Sequence, residues 1–192
     1  GNTVIDAINI YSKISKKKSK LSIPYSDFIL LTLHRSENVD DKKILSSIIK
    51  GLINSNENIV FPIHPRTKKR LYEFGLHEKL SQNKNIQILD SVGYFDILEL
   101  MKNCNFIVTD SGGIQEEATS PVIRKKVLVV RKTTDRPEAV ESNLAKIIGL
   151  DEKIISKSIK KTMIDPKVHS KKTPYGKGDA SEKILKLLQK YF

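Results

Sequence analysis

From Asp27 onward, short apolar runs alternate with stretches of helical periodicity, and this alternation constrains the fold more than any other feature of the chain. The apolar runs are predicted strands, at residues 28–33, 59–63, 86–89, 106–109, 127–130 and 145–148. Because these runs lack polar alternation, we expect both faces of the strands to be covered. Strand and helix units in series predict an α/β fold, a Rossmann-like three-layer domain with a parallel sheet of about six strands.

Helical patterns occupy the segments between the predicted strands, at residues 40–54, 67–74, 94–102, 114–118 and 137–142. The first is the clearest, since Leu45, Ile48 and Leu52 recur at spacings of three and four residues. Two further helices are predicted at 151–163 and 180–191, and the chain opens with a helical apolar face around Val4 and Ile8. Residues 12–22 are polar and rich in lysine, so they are predicted to form a surface connection into the first strand.

The formal net charge of +12 raises the question of a nucleic-acid partner. Residues 1–26 carry five Lys and one Asp, and residues 151–192 carry eleven Lys and five acids, which leaves a net charge of +2 for the 124 residues between them. Arginine and aromatic residues, which read or stack on bases, are not interleaved with the lysine runs. We therefore predict a solvated basic periphery and no nucleic-acid partner; a basic RNA-binding module is the alternative.

Several classes of protein are disfavoured by what the sequence lacks. No apolar run approaches the roughly 20 residues that a membrane helix needs, and no signal segment opens the chain, so a soluble, cytoplasmic protein without a membrane partner is expected. The single cysteine, Cys104, lies in an apolar stretch and is predicted to be buried. No cluster has metal-ligand spacing, and neither a metal nor a cofactor is expected.

Residues 109–118 join the fourth predicted strand to a helix through a Ser-Gly-Gly turn. Ser111 is a plausible N-cap, Gly112 and Gly113 permit close backbone approach, and exposed amides at a helix start favour an anion. An ordinary strand-to-helix turn would have the same sequence. The chain lacks GxGxxG and GxxxxGKS, so we do not expect a dinucleotide site or an ATP P-loop.

Cationic residues follow three other predicted strands, with His34 and Arg35 after the first, His64 after the second and Arg136 after the fifth. The carboxyl ends of parallel strands meet at one edge of a sheet, so these side chains can face one anionic ligand. Asp135 is a possible N-cap for the helix that follows the fifth strand.

Two carboxylates, Glu116 and Glu117, fall in the first turns of the helix after the Ser-Gly-Gly turn. The helix dipole by itself favours carboxylates there. We expect one of them to bind a ribose diol, as acidic residues do in nucleotide-binding folds. His77 and His169 have no comparable setting and are predicted to be surface residues.

Four motifs occur in a fixed order: Gly-Asn-Thr-Val-Ile-Asp-Ala at 1–7, His-Arg-Ser-Glu-Asn at 34–38, Asp-Ser-Gly-Gly-Ile-Gln-Glu-Glu at 110–117 and Thr-Thr-Asp-Arg-Pro-Glu at 133–138. Together they resemble the non-hydrolysing UDP-N-acetylglucosamine 2-epimerases over nearly the whole chain. Members of that family have two Rossmann-like domains that face each other across a cleft, the glycosyltransferase-B fold. The resemblance implies that residues 1–192 form the single C-terminal, UDP-binding domain and that the N-terminal domain is absent. Residues 1–26 would be the interdomain helix and linker, 27–165 the Rossmann-like core, and 166–192 a linker and C-terminal helix.

The family interconverts UDP-N-acetylglucosamine and UDP-N-acetylmannosamine by eliminating UDP to a 2-acetamidoglucal and adding it back. By resemblance His34 matches a catalytic histidine, Glu117 the ribose-binding carboxylate, and residues 94–97 border uracil. The UDP contacts implied in this way are Arg35, His64, Tyr94, Phe95, Ile97, Ser111, Gly112, Gly113, Glu117 and Arg136.

The family's carboxylates that move the proton at sugar C2 belong to the N-terminal domain. This chain is therefore expected to bind UDP weakly and to epimerise nothing without that domain. A UDP-sugar, the N-terminal domain and a second copy of the full-length enzyme are the expected partners. Alternatives are the nucleotide-sugar domain of a related glycosyltransferase and a hydrolysing epimerase, which would release free N-acetylmannosamine.

Overall fold

The computed structural model describes residues 1–90 and 92–191. In that part of the chain the strands are β1 (Ile29–Thr32), β2 (Ile59–Pro62), β3 (Ile86–Leu89), β4 (Ile107–Thr109), β5 (Val127–Val129) and β6 (Ala145–Ile147). The helices are α1 (Thr3–Lys18), α2 (Ser36–Val39), α3 (Lys42–Ser55), α4 (Pro65–Glu73), α5 (His77–Ser81), α6 (Tyr94–Asn103), α7 (Gly112–Ala118), α8 (Pro137–Glu141), α9 (Glu152–Ile164) and α10 (Ala180–Leu188).

The strands form one parallel sheet in the order β3-β2-β1-β4-β5-β6. Leu30 of β1 pairs with Val60 of β2 on one side and with Ile107 of β4 on the other. The predicted six-stranded parallel sheet is thus confirmed. The strand order reverses direction between β1 and β4, and ligands of open α/β sheets bind at such a switch point.

Two hydrophobic cores cover the two faces of the sheet. Ile29 and Leu31 of β1 belong to one core, which also holds the apolar faces of α3 and α9, whereas Phe28 and Leu30 belong to the other, with α1 and α6. Alternate residues of a strand point to opposite faces, so a strand buried on both faces is apolar without interruption. This arrangement explains why the apolar runs identified the strands.

Helices α3 and α9 pack closely because Gly51 presents no side chain at their contact. A methyl group on Gly51 would lie 2.9 Å from the carbonyl oxygen of Glu152 and 2.9 Å from Cβ of Ile155. Contacts under 3.0 Å require one helix to move away from the other. Gly51 therefore sets the distance between the two helices on this face of the sheet.

Replacing Gly51 by alanine is expected to lower the free energy of unfolding by up to about 2 kcal/mol. Alanine is the better helix former by about 1 kcal/mol, but overpacking a well-filled interface costs about 1–3 kcal/mol. Urea denaturation measures the difference. Gly113→Ala is the matched control, since its added methyl would meet only Ser111 Oγ, at 3.9 Å; equal stability of Gly51→Ala and the control would contradict the packing argument.

The prediction of a surface connection at 12–22 is wrong for its first part, because α1 continues to Lys18. Ser15 is fully buried and donates a hydrogen bond to Glu99 of α6. The three lysines at 16–18 lie in the last turn of α1, where positive charge complements the helix dipole. The contact of Ser15 with α6 and the favourable dipole interaction of the lysines thus extend α1 beyond the end that its apolar pattern predicts.

Other predicted boundaries differ locally. The predicted helix at 40–54 begins only at Lys42, since the Asp41 side chain caps α3 by accepting from the amides of Lys43 and Ile44. The short helices α2 and α5 were not predicted, and α10 ends at Leu188 and not at residue 191. None of the described helices is long and apolar enough to cross a membrane.

The two ends of the domain are held together. The Asp6 carboxylate of α1 accepts hydrogen bonds from the backbone amides of Ala180 and Ser181 at the start of α10, at 3.3 and 3.0 Å. Only part of α10 is covered by this contact: its side chains at Ile184, Leu185, Leu187 and Leu188 are about half exposed. An apolar helix face therefore remains open beside α1.

Candidate functional site

A buried carboxylate joins the carboxyl ends of β1 and β4. Asp110, which follows β4 and is fully buried, accepts hydrogen bonds from the backbone amides of His34 at 3.1 Å and Arg35 at 2.9 Å. It also accepts from Nδ2 of Asn38 at 3.2 Å and lies 3.2 Å from Nδ1 of His34. Asp110 thus holds the loop after β1 in place. Sequence reasoning gave this residue no role, although an Asp at the end of a buried strand is itself a signal.

The two histidines predicted to face one ligand lie side by side. The ring centroids of His34 and His64 are 5.7 Å apart, and both rings line a cavity of about 230 Å³ together with Val92 and Ile97. His64 is the N-cap of α4, where its Nδ1 accepts the backbone N–H of Arg66 at 3.2 Å. The fold therefore brings the imidazoles from two neighbouring strand ends to one cavity.

The Ser-Gly-Gly turn begins α7, and Ser111 is its N-cap as predicted. The Ser111 hydroxyl accepts the N–H of Ile114 at 3.4 Å, and its own amide donates to Oγ1 of Thr109 at 2.9 Å. Gly112 is tightly packed, since a Cβ there would lie 3.0 Å from Oδ1 of Asp135, whereas Gly113 is exposed. The first amides of α7 are thus available to a ligand on the Gly113 side.

An arginine cluster, formed by Arg35, Arg131 and Arg136, surrounds Asp135. The Asp135 carboxylate lies 3.1 Å from Arg35, 2.9 Å from Arg131 and 3.8 Å from Arg136. Burial tends to raise the pKa of Asp135, but a backbone hydrogen bond and the three guanidinium groups outweigh burial and hold this pKa below its usual range. The predicted N-cap role of Asp135 is wrong: Arg136 occupies the N-cap of α8, and Asp135 is the counter-ion of the cluster.

The adjacent glutamates of α7 have different environments. Glu116 forms an ion pair with Arg136 at 2.5 Å. Glu117 is half-buried and, among the described residues, its carboxylate has no hydrogen-bond or ion-pair partner. Burial, and then the charge of Glu116, raise the pKa of Glu117 to about 7. Burial, and then the charge of Glu117, raise the pKa of Tyr94 to about 12. Of the two glutamates, Glu117 is therefore the one whose carboxylate is free to accept hydrogen bonds from a ligand.

The residues predicted to border uracil lie at the start of α6 and face different surroundings. Ile97 lines the histidine cavity. Tyr94 and Phe95 each make an edge-to-face contact with Tyr11 of α1, with ring centroids 6.0 Å apart in both pairs. Phe95 is partly buried and packs against the second core. A role in base binding for all three residues stays a prediction.

The remaining sequence predictions concern residues without a place in this site. Cys104 is buried as predicted, and burial raises the pKa of its thiol to about 12. His77 stacks on Tyr72 and His169 lies 2.9 Å from Asp165, both away from the switch point. A larger cavity of about 590 Å³ lies beside β6, but its lining includes none of the predicted site residues. The chemistry is concentrated at the switch point.

The switch-point site is defined here by His34, Arg35, His64, Ser111, Gly112, Gly113, Glu117 and Arg136. Its place in a 3-2-1-4-5-6 sheet makes the chain a Rossmann-like domain of the glycosyltransferase-B type. A glycosyltransferase of avilamycin A biosynthesis shares this fold, with a TM-score of 0.55 at 13% identity.

The chain belongs to the UDP-N-acetylglucosamine 2-epimerase family, whose model matches residues 1–189. The enzyme of that name from Methanocaldococcus jannaschii is 40% identical over 198 residues, which cover 98% of this chain and 53% of the relative. The Bacillus subtilis enzyme is 34% identical, over 98% of this chain and 50% of the relative.

Solved structures agree with this assignment. The M. jannaschii epimerase in complex with UDP-GlcNAc and UDP has a TM-score of 0.89, with 98% of this chain and 53% of that chain covered at 40% identity. The epimerase from Neisseria meningitidis bound to UDP-GlcNAc has a TM-score of 0.83, with 99% and 54% covered at 32% identity. The chain thus spans about half the length of the relatives it matches.

Proposed function

We propose that this chain is the nucleotide-binding half of a non-hydrolysing UDP-N-acetylglucosamine 2-epimerase and that the switch-point site binds UDP. The observation that carries the proposal is the convergence of two imidazoles, the arginine cluster and the Ser-Gly-Gly helix start at the ends of β1, β2, β4 and β5. These groups are suited to a diphosphate. Related proteins have been solved with UDP-GlcNAc or UDP bound, which supports this ligand.

The contacts within the site support an assignment of different residues to the diphosphate, the ribose and the base of the nucleotide. His34, Arg35, Arg136 and residues 111–113 would bind the diphosphate, because they supply positive charge and helix-start amides. Glu117 would accept hydrogen bonds from the ribose hydroxyls, since Glu116 is already paired with Arg136. Ile97 and its neighbours on α6 would border the base.

The proposed reaction breaks the bond between sugar C1 and the β-phosphate oxygen while a base removes the proton from C2. The electron pair of the C1–O bond leaves on UDP, and the pair from the C2–H bond forms the C1=C2 double bond of the 2-acetamidoglucal. UDP adds back to C1 as a proton returns to the other face of C2. Negative charge therefore develops on the β-phosphate, where the cations of this chain would stabilise it.

The proposal assigns the C2 proton transfer to an N-terminal domain that faces this one across a cleft. No residue of the switch-point site is placed in that role. The half-exposed apolar face of α10 supports such a partner, since exposed apolar side chains in a contiguous set favour burial against another surface. Homodimerisation of the two-domain enzyme is part of the same proposal.

Calorimetry of this chain with UDP tests the proposal, with ADP and UMP as comparisons. We expect UDP to bind more tightly than either. His34→Ala and Ser111→Ala should each weaken UDP binding on the order of tenfold, because each removes a contact to a charged ligand. His77→Ala is the matched control, since His77 lies away from the site, and its affinity should equal that of the unaltered chain.

Two binding results would contradict the proposal. One is the absence of UDP binding even when the chain is joined to an N-terminal domain of the family. The other is an RNA complex that is strong at physiological salt and unaffected by His34→Ala and Ser111→Ala, which would favour the basic-module alternative. With the joined protein, release of free N-acetylmannosamine without UDP-N-acetylmannosamine would indicate a hydrolysing enzyme. Transfer of the sugar to an acceptor would indicate a glycosyltransferase.

A further inference from the structure

We infer that the fold imposes opposite tautomers on the paired histidines, with the proton on Nδ1 in neutral His34 and on Nε2 in neutral His64, and that Asp110 is the positioning residue for His34. The tautomer of His34 follows from its close contact with the Asp110 carboxylate, and that of His64 from a hydrogen bond to the backbone of α4. Their use in the reaction rests on the proposed function.

Asp110 determines the state of His34 because it is a carboxylate with no hydrogen to donate. It is fully buried and lies 3.2 Å from Nδ1 of His34. Its other contacts all come from donors: the amides of His34 and Arg35 and the side-chain amide of Asn38. A carboxylate so placed requires a hydrogen on Nδ1, whether the imidazole is neutral or protonated. Nε2 is then the nitrogen that gains or loses the proton.

The start of α4 determines the tautomer of His64, and this tautomer is the opposite of the one expected for His34. Nδ1 of His64 accepts the backbone N–H of Arg66 at 3.2 Å, as an N-cap does. A hydrogen on Nδ1 would remove this bond and place two hydrogens against each other. Neutral His64 therefore carries its hydrogen on Nε2.

The two rings consequently present different chemistry to their shared cavity. Both line it, and in the described part of the chain neither Nε2 has a hydrogen-bond partner. His34 offers a nitrogen that can accept or release a proton, whereas neutral His64 offers a fixed donor. If the β-phosphate leaves toward this cavity, protonated His34 can pass its Nε2 proton to the departing oxygen. The neutral ring then keeps its hydrogen on Nδ1, facing the Asp110 carboxylate. When UDP adds back, the proton returns from the phosphate oxygen to Nε2 of His34.

Nitrogen-15 NMR of the histidine-labelled chain tests the tautomers without any ligand. The pH is raised until the nitrogen shifts of each ring stop changing, and the spectra of the neutral rings are recorded there. His34→Gln and His64→Gln assign the two signals, and His77, which stacks on Tyr72 outside the cavity, is the reference ring. We expect the Nδ1–H form for His34 and the Nε2–H form for His64. A predominant Nε2–H form at His34, or Nδ1–H form at His64, would overturn the inference.

Asp110→Asn tests whether Asp110 is the cause. An asparagine has one acceptor oxygen, which the amides of Arg35 and Asn38 would hold at the position of Oδ2, and its NH₂ would face Nδ1 of His34. His34 must then accept at Nδ1 and should change to the Nε2–H form, as in other His-carboxylate pairs altered in this way. The His64 signal should not move, and an unchanged His34 signal in the folded variant would refute the role of Asp110.

These measurements separate the inference from the proposed function. The tautomers are read without UDP, so failure to bind UDP leaves them unaffected. Conversely, UDP binding with a Nε2–H form at His34 would uphold the proposed site and reject the tautomer assignment. If Asp110→Asn does not fold, the spectrum of the unaltered chain still decides between the two tautomers of each ring.

Discussion

Replacing Glu117 by glutamine is expected to stabilise the chain above pH 7 and to leave its stability unchanged near pH 4. The pKa of Glu117 is raised from an ordinary 4.5 to about 7, first by burial and then by Glu116. Between these two pH values the folded state binds more protons than the unfolded state, so stability falls as pH rises. Above pH 7 the ionised carboxylate destabilises the fold by up to about 3 kcal/mol, and glutamine, which never ionises, removes this cost.

The measurement is urea denaturation of Glu117→Gln and the unaltered chain at pH 4 and pH 8. Glu116→Gln is the matched control on the same helix. It should lower stability at pH 8, because the loss of the ion pair with Arg136 in a partly buried setting outweighs the relief of repulsion on Glu117. Changes in stability of opposite sign for Glu117→Gln and Glu116→Gln at pH 8 would establish that the two glutamates have different environments. Equal stability of Glu117→Gln and the unaltered chain at pH 8 would contradict a perturbed carboxylate.

A carboxylate that destabilises its own fold near neutral pH is characteristic of functional sites. The ribose hydroxyls of UDP would supply the hydrogen bonds that Glu117 lacks. We therefore expect Glu117→Gln to gain stability and lose UDP affinity together. This combination distinguishes a binding residue from a poorly packed one.

Replacing Gly112 by valine is expected to weaken UDP binding by at least about 100-fold, or about 2.7 kcal/mol. A first carbon on Gly112 already lies 3.0 Å from Oδ1 of Asp135 and 3.4 Å from Nη2 of Arg35. The two further carbons of valine must displace both side chains. They would thereby disturb the cations beside the proposed diphosphate. Gly112→Ala, with the first carbon alone, should show an intermediate loss.

Gly113→Ala separates packing from ligand approach. Its added methyl makes only an ordinary van der Waals contact, with Ser111 Oγ at 3.9 Å, so we expect the free energy of unfolding to change by less than about 0.5 kcal/mol. UDP binding should nevertheless weaken about tenfold if the diphosphate approaches the backbone here. Calorimetry and urea denaturation of the three glycine variants provide both readouts. A folded Gly112→Val that binds UDP like the unaltered chain would place the diphosphate elsewhere.

The sheet could be predicted because its central strands are apolar on both faces, as with Leu30 and Leu31 of β1, which enter different cores. The extension of α1 could not be predicted in the same way. Ser15 is polar, and its burial depends on Glu99, a residue 84 positions away. Local pattern therefore determines the elements, and distant polar contacts determine where some of them end.

The candidate site follows the same division. His34, His64 and Ser111 were identifiable because parallel strands bring their carboxyl ends to one edge. The ion pair between Asp135 and Arg35 could not be identified from the sequence, because those residues are 100 positions apart. A local helix-cap role explained Asp135 equally well. Asp110 lay within a recognised motif, but its hydrogen-bond donors come from the segment after β1 and from α2, which precede it by 72 to 76 positions.

The strand order also governs when the site can exist during synthesis. Thr32 of β1 and its partner Thr109 of β4 are 77 positions apart, which corresponds to roughly 4–15 seconds of translation at about 5–20 residues per second. Until β4 emerges, β1 has β2 on one side and an open edge on the other, a hazard for pairing with other chains. Asp110 leaves the ribosome directly after the strand that closes this edge. The amides of His34 and Arg35 thus receive their buried acceptor as they lose contact with water.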